Sequence, residues 1–230
     1  MKKRSIYIII TLFLLAGFGT AGFFLWKHFN PLPIFPMTPI TLTTSDNVSI
    51  VGNMITPPEP KGAVLLLHMM PATKESWEQP QQALGREHVA NLAIDLRGHG
   101  QSTQGPAGMT LDYNAFTDED HQASRHDVQA GIDYLTSQGF AKNRIAIIGA
   151  SIGANLALQQ LSQDPEINSV VLLSPGLDFR GVETEQYARS LADNQALYTL
   201  ASRDDQYSFD SSRTLYNAST VKKDIGEYED

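Results

Sequence analysis

Hydrophobic positions in this chain fall into short unbroken runs separated by stretches of helical spacing. Residues 63–67, 92–94, 145–148 and 170–173 are continuous apolar runs bounded by turn-forming residues. That pattern predicts strands buried on both faces. Residues 75–84, 121–137, 154–163 and 208–218 instead bring apolar side chains back every three to four positions and predict helices. Residues 41–55 alternate around Ser45-Asp46-Asn47 and predict an N-terminal edge hairpin, while 196–201 and 224–228 predict two late strands. Strand and helix alternating in this order imply an α/β fold with a mostly parallel central sheet and helices on both faces. No internal repeat or low-complexity block interrupts the pattern.

The first 28 residues follow a different rule. Lys2, Lys3 and Arg4 precede an uncharged stretch, 6–26, which Lys27 and His28 close. As a helix it would reach about 31 Å, close to the roughly 30 Å of hydrocarbon in a bilayer. Residues 1–28 are therefore expected to be a single-pass membrane anchor with a cytoplasmic N-terminus and an extracytoplasmic C-terminal part. The alternative is a cleaved signal peptide, because Gly19-Thr20-Ala21 resembles a cleavage site, leaving a secreted or periplasmic form. Residues 29–39 are a proline-spaced linker, and 40–230 form one domain.

Charge and composition narrow the function. Four of the 17 basic residues lie in the first 28, leaving 13 against 25 acidic ones, a net charge of −12 over the remainder. Such a surface argues against nucleic acid and against anionic lipid as partners. With no cysteine, the chain has no disulfide framework, cysteine-ligated zinc or cysteine nucleophile. His121 and His126, five apart, would lie on different faces of one helix and do not make a metal pair. Neither metal nor cofactor is expected.

The candidate chemistry begins at Gly149-Ala150-Ser151-Ile152-Gly153, which joins the apolar run 145–148 to a helix-like stretch. A serine at such a strand-to-helix turn is pushed outward as a nucleophile, with glycines two places to either side where the two backbones almost touch. The alternative is a plain Gly/Ser turn without chemistry. Attack by Ser151 on a carbonyl would create an oxyanion, for which the N–H of Ile152, directly after the nucleophile, is one donor.

Two further stretches accompany this turn: Asp95-Leu96-Arg97-Gly98-His99-Gly100-Gln101-Ser102, and Ala201-Ser202-Arg203-Asp204-Asp205-Gln206-Tyr207. Together the three resemble the α/β-hydrolase superfamily, and within it the lidless dienelactone-hydrolase-like and small serine esterase or peptidase members, over residues 40–230. The resemblance implies a serine hydrolase acting on carboxylic esters or small amides through an acyl-enzyme. It maps the family's His-Gly-x-Pro loop onto His68-Met69-Met70-Pro71, making Met70 the second oxyanion donor, although Met69 stands where glycine is usual. It also implies an acid after a late strand. Asp205 matches the family's spacing from Ser202, with Asp204 as the alternative and a solvated pair or helix cap as the plainer reading. Residues 175–194 are too few for the lid domain of larger relatives, so an open site and a small-molecule substrate are expected.

One part is missing. All six histidines, His28, His68, His88, His99, His121 and His126, precede Ser151, whereas the superfamily's order is Ser, acid, His. The general base is therefore absent, and the chain is read as ending just before its histidine loop. The alternatives are a noncatalytic binding or scaffolding domain at the membrane, or recruitment of an upstream histidine, with His99 the first candidate.

Overall fold

The structure, a computed structural model, describes residues 32–229. The segment expected to cross a membrane, 6–26, lies outside the described residues. Among the described residues no helix is long and apolar enough to do so. The chain divides into Met1–Ile34 and Phe35–Asp230, and the architecture that follows belongs to the second unit.

Eight strands form one sheet: β1 (Thr38–Thr43), β2 (Ser49–Ile55), β3 (Ala63–Leu67), β4 (Ala90–Ile94), β5 (Ile145–Ala150), β6 (Ser169–Leu173), β9 (Ala196–Ser202) and β10 (Lys222–Tyr228). Their spatial order is β1-β2-β4-β3-β5-β6-β9-β10. The hairpin β1–β2 is antiparallel and joins β4 antiparallel, whereas every pairing from β4 through β3, β5, β6 and β9 to β10 is parallel. Two short strands, β7 (Asp178–Phe179) and β8 (Val182–Glu183), make a separate hairpin.

The helices are α1 (Glu78–Arg86), α2 (Asp118–Gln122), α3 (Arg125–Ser137), α4 (Ile152–Gln163), α5 (Glu185–Arg189) and α6 (Gln206–Ala218). Two differ from the periodicity. The stretch 75–84 opens as a 3-10 turn, Lys74–Trp77, before α1, and 121–137 divides into α2 and α3. The division is slight, because Ala123 and Ser124 keep right-handed helical backbone angles. A capping box between Thr117 and Asp120 starts α2 upstream of the apolar pattern, and side-chain caps of this kind are invisible to periodicity.

Alternation along the central strands separates two cores. Ala63, Leu65, Leu67, Ile145, Ile147, Val170, Leu172 and Leu197 pack with α3, α4 and α6. Val64, Leu66, Ala93 and Ala150 face the other way, toward Trp77 and Leu84. This second face is covered by α1 over the β4 side. Toward β6 and β9, Ile148, Val171, Leu173 and Tyr198 stay half-buried and Leu200 is exposed. Phe35 fastens the start of this unit to α1, exchanging two hydrogen bonds with the Gln82 amide (2.8 and 2.9 Å) and resting against Gly85.

Candidate active site

Ser151 sits between the end of β5 and the start of α4 at φ +52° and ψ −119°. Holding a side-chain-bearing residue there costs on the order of 1–3 kcal/mol and requires surroundings that over-determine it. They do so through three hydrogen bonds. Ser151 N–H donates to Leu173 O on β6 (2.9 Å), while its carbonyl accepts from Ala154 and Asn155 N–H (2.9 and 3.2 Å). The flanking glycines are steric necessities. A Cβ on Gly149 would run into the Gly153 carbonyl, and one on Gly153 would lie 2.6 Å from Leu67 O and 2.7 Å from His68 O. The Ser151 side chain is left half-exposed at the carboxyl end of the sheet.

The next strand end supplies the second loop. Because Leu67 pairs with Gly149 in register, the loop from His68 to Pro71 leaves β3 beside the turn that carries Ser151. Neither Met70 N–H nor Ile152 N–H has an acceptor among the described residues. Ile152 is also the first residue of α4, where the helix leaves its amides unpaired and positive. Two unused donors on adjoining loops are what an oxyanion requires.

The loop carrying Met70 is pinned at both ends. His68 is fully buried, with Nδ1 2.8 Å from Met69 O and Nε2 accepting from Leu96 N–H at 3.0 Å. Burial brings its pKa down to about 4. At the far end, Lys74 is 2% exposed, and both its N–H and its Nζ reach the Asp95 carboxylate at 2.8 Å. Burial alone would lower the Lys74 pKa, but hydrogen bonds to Asp95 and Glu75 raise it above the usual lysine value. Asp95 also accepts Gln101 N–H at its carboxylate (2.9 Å) and Ser102 Oγ–H at its carbonyl (2.8 Å), and donates its own N–H to Val51 O (2.9 Å).

Arg97 clamps three elements at once. Its Nε and Nη2 reach Asp127 Oδ1 on α3 at 2.9 and 2.8 Å, its backbone N–H reaches Asp127 Oδ2, and Nη1 reaches Asp46 in the hairpin turn at 2.7 Å. Burial opposes its charge, yet the two carboxylates hold its pKa above the ordinary arginine value. Thus 95–102, noticed in the sequence only as a family-like stretch, is a structural hub. Its partners Lys74 and Asp127 were missed, since nothing in their local spacing marks them as buried.

The late acidic loop is simpler. Asp205 caps α6, Oδ1 accepting from Ser208 N–H at 3.2 Å, and its Oδ2 has no donor among the described residues. Asp204 donates its N–H to Ser202 Oγ (3.2 Å). Both aspartates are exposed. A cap and an imidazole-orienting acid are compatible roles, because they use different carboxylate oxygens.

No histidine nitrogen bonds Ser151 or Asp205 among the described residues. His99 is 3% exposed, stacked on Tyr113 with ring centroids 4.0 Å apart, its Nδ1 3.0 Å from Arg97 O. His126, on α3, reaches Ser45, and His121, on α2, packs edge-on to Phe116. Among the described residues no group of histidine and acidic side chains could hold a metal. A wide cleft lined by Lys142, Glu166 and Asn168 lies where β5 and β6 begin, at the end of the sheet opposite Ser151.

Residues 58–212 match the family model described as serine aminopeptidase, S33. No curated protein matches the chain. Among solved structures, a Pyrococcus furiosus esterase superposes with a TM-score of 0.69 at 22% identity, covering 85% of this chain and 84% of its own. An acetyl xylan esterase from Paenibacillus sp. R4 gives 0.70 at 16%, covering 87% and 79%. An acylaminoacyl peptidase of Pyrococcus horikoshii gives 0.69 at 14%, covering 87% of this chain and 38% of its own. At these identities the likeness is one of fold.

Proposed function

This chain belongs to the serine aminopeptidase S33 family of α/β-hydrolases, and we propose that it is a serine hydrolase acting on carboxylic esters or small amides through an acyl-enzyme. The observation that carries the reading is the strained seat of Ser151 between Gly149 and Gly153, since strain of this kind collects at functional sites. Ser151 Oγ attacks the substrate carbonyl carbon and gives up its proton. The carbonyl π pair moves to oxygen, where the N–H groups of Met70 and Ile152 receive it. Collapse expels the alcohol or amine, which takes a proton, and water then releases the acid from Ser151. Asp205 is the acid that would orient an imidazole through its unused oxygen.

Among the described residues no imidazole nitrogen bonds Ser151: none lies between Asp205 and Glu229, both His68 nitrogens are hydrogen-bonded elsewhere, and the His99 ring is stacked on Tyr113 with its Nδ1 against Arg97 O. Loss of a triad member leaves about 10³ to 10⁴ over water from oxyanion hole and binding. The 230-residue polypeptide is therefore expected to hydrolyse p-nitrophenyl acetate negligibly. Added imidazole should accelerate acetylation of Ser151, scored by mass spectrometry because imidazole itself cleaves the ester, and Ser151→Ala should abolish the modified peptide. Rapid stoichiometric labelling by a fluorophosphonate without imidazole would make an upstream histidine, His99 first, the base. No acetylation even with imidazole would favour a noncatalytic binding domain.

Supported by the charge-free stretch 6–26 and the basic residues before it, the same reading places the hydrolase domain outside the cytoplasm on a membrane tether. The protein is expected to resist extraction by carbonate. Recovery of a soluble form beginning at Gly22 would identify a cleaved signal instead.

A further inference from the structure

His68 looks at first like an ordinary buried histidine, but its two hydrogen bonds fix more than its own ring. Leu96 N–H donates to Nε2 at 3.0 Å, so Nε2 carries no proton. The single proton of the neutral ring is then on Nδ1, which donates to Met69 O at 2.8 Å. That carbonyl belongs to the peptide group that ends in Met70 N–H. A trans peptide is planar, with its C=O and N–H pointing in opposite directions. Holding Met69 O against the imidazole therefore turns Met70 N–H away from it, and that N–H meets no acceptor among the described residues.

The surroundings make this arrangement stiff. The His68 carbonyl lies against Gly153 in the first turn of α4, so the same residue touches the helix that presents Ile152 N–H. Leu96 follows Asp95, whose carboxylate holds Lys74 at the other end of the loop. The titratable groups around the ring are His99, with centroids 4.9 Å apart, Asp95 and Glu75. Both carboxylates pair with the single ammonium of Lys74, and burial keeps His68 uncharged down to about pH 4.

We propose that His68 is the positioning residue of the oxyanion hole, its Nδ1–H fixing the Met69–Met70 peptide so that Met70 N–H faces the negative oxygen formed on substrate. This rests on the reading of Ser151 as nucleophile. It assigns His68 no proton transfer. The histidine that heads the loop works through the backbone, in one tautomer, held there by Leu96.

Two substitutions separate the two ring nitrogens. In His68→Asn the side-chain amide N–H occupies the place of Nδ1–H and keeps the bond to Met69 O, while the acceptor for Leu96 is lost. In His68→Gln the longer side chain keeps an acceptor near Leu96 and loses the bond to Met69 O. The readout is the affinity of phenylboronic acid for the full-length chain, followed by ¹¹B NMR. Ser151 Oγ adds to boron, its proton leaves to water, and the resulting tetrahedral boronate anion places one of its boron-bound hydroxyl oxygens in the hole. Benzamide, planar and neutral, serves as the ground-state probe.

An oxyanion donor is worth about 10² to 10³. His68→Gln is thus expected to weaken the boronate adduct by about 10²-fold, His68→Asn to stay near the wild-type value, and benzamide binding to change in neither. If wild type forms the adduct and both variants lose it alike, or both keep it, the inference is overturned. With imidazole supplied as the missing base, no adduct in wild type overturns the Ser151 reading itself, an outcome distinct from the other two. Should His68→Gln fail to fold, the ¹⁵N spectrum of the wild-type ring decides: a proton on Nδ1 at neutral pH is expected, and one on Nε2 would sink the proposal.

Discussion

Gly149→Ala is expected to cost about 3 kcal/mol of stability, the upper part of the range for overpacking a rigid site. The reason is that the obstacle is backbone. The added methyl would meet the Gly153 carbonyl and Ala154 N in the first turn of α4, and neither can rotate away as a side chain would. Relief requires the helix to move off the strand, which carries Ser151 out of its strained seat and Ile152 N–H with it. Urea unfolding measures the loss, and acetylation of Ser151 in the presence of imidazole should vanish. Gly108→Ala is the control: its φ is +81° but nothing lies within 4 Å of the added methyl, so only the left-handed backbone penalty of roughly 1–2 kcal/mol applies. A loss at Gly149 no larger than at Gly108 would show that the close approach of strand and helix does not set the need for glycine at 149.

Arg97→Ala is expected to cost about 3–5 kcal/mol, the usual result of removing one partner of a buried ion pair. Asp127 is fully buried and takes all its side-chain hydrogen bonds from Arg97. Truncation leaves it with only the backbone N–H at position 97. The Asp46 arm contributes less, because that carboxylate is 37% exposed and water can replace the guanidinium. Arg97→Lys should recover little, since one ammonium cannot span Asp46 and Asp127 as the planar fork does. In a double-mutant cycle with Asp127→Asn, the second substitution should cost far less in the Arg97→Ala background than alone. Additive losses would show that the clamp is not a coupled unit.

The difference between these two sites is also a difference in what could be foreseen. The need for glycine at 149 and 153 was legible from five consecutive residues, because the steric demand of a strand-to-helix turn is local. The clamp was not. Asp46, Arg97 and Asp127 lie in a hairpin turn, a strand end and a helix, and each alone reads as a solvated surface charge. Lys74 is the sharpest case, a lysine three residues after Pro71 that the fold buries almost completely against Asp95.

Strands were foreseen to within a few residues, as at 63–67 and 145–148, because burial on both faces leaves an uninterrupted apolar run. Helix starts were less accurate: α2 begins at Asp118 through the capping box of Thr117, and α6 at Gln206 under the Asp205 cap, where polar side chains and not apolar spacing decide the boundary. By itself, then, the sequence determined the parallel α/β order, the turn that holds Ser151, and the lack of a histidine between Asp205 and Asp230. Only the tertiary structure decided which charges are buried as pairs, that His99 is stacked on Tyr113, and that His68 holds the Met69–Met70 peptide. Periodicity and turn chemistry act between neighbours in the chain, whereas the pairing of 97 with 127, or of 68 with 96, exists only once β3, β4 and α3 have been brought side by side.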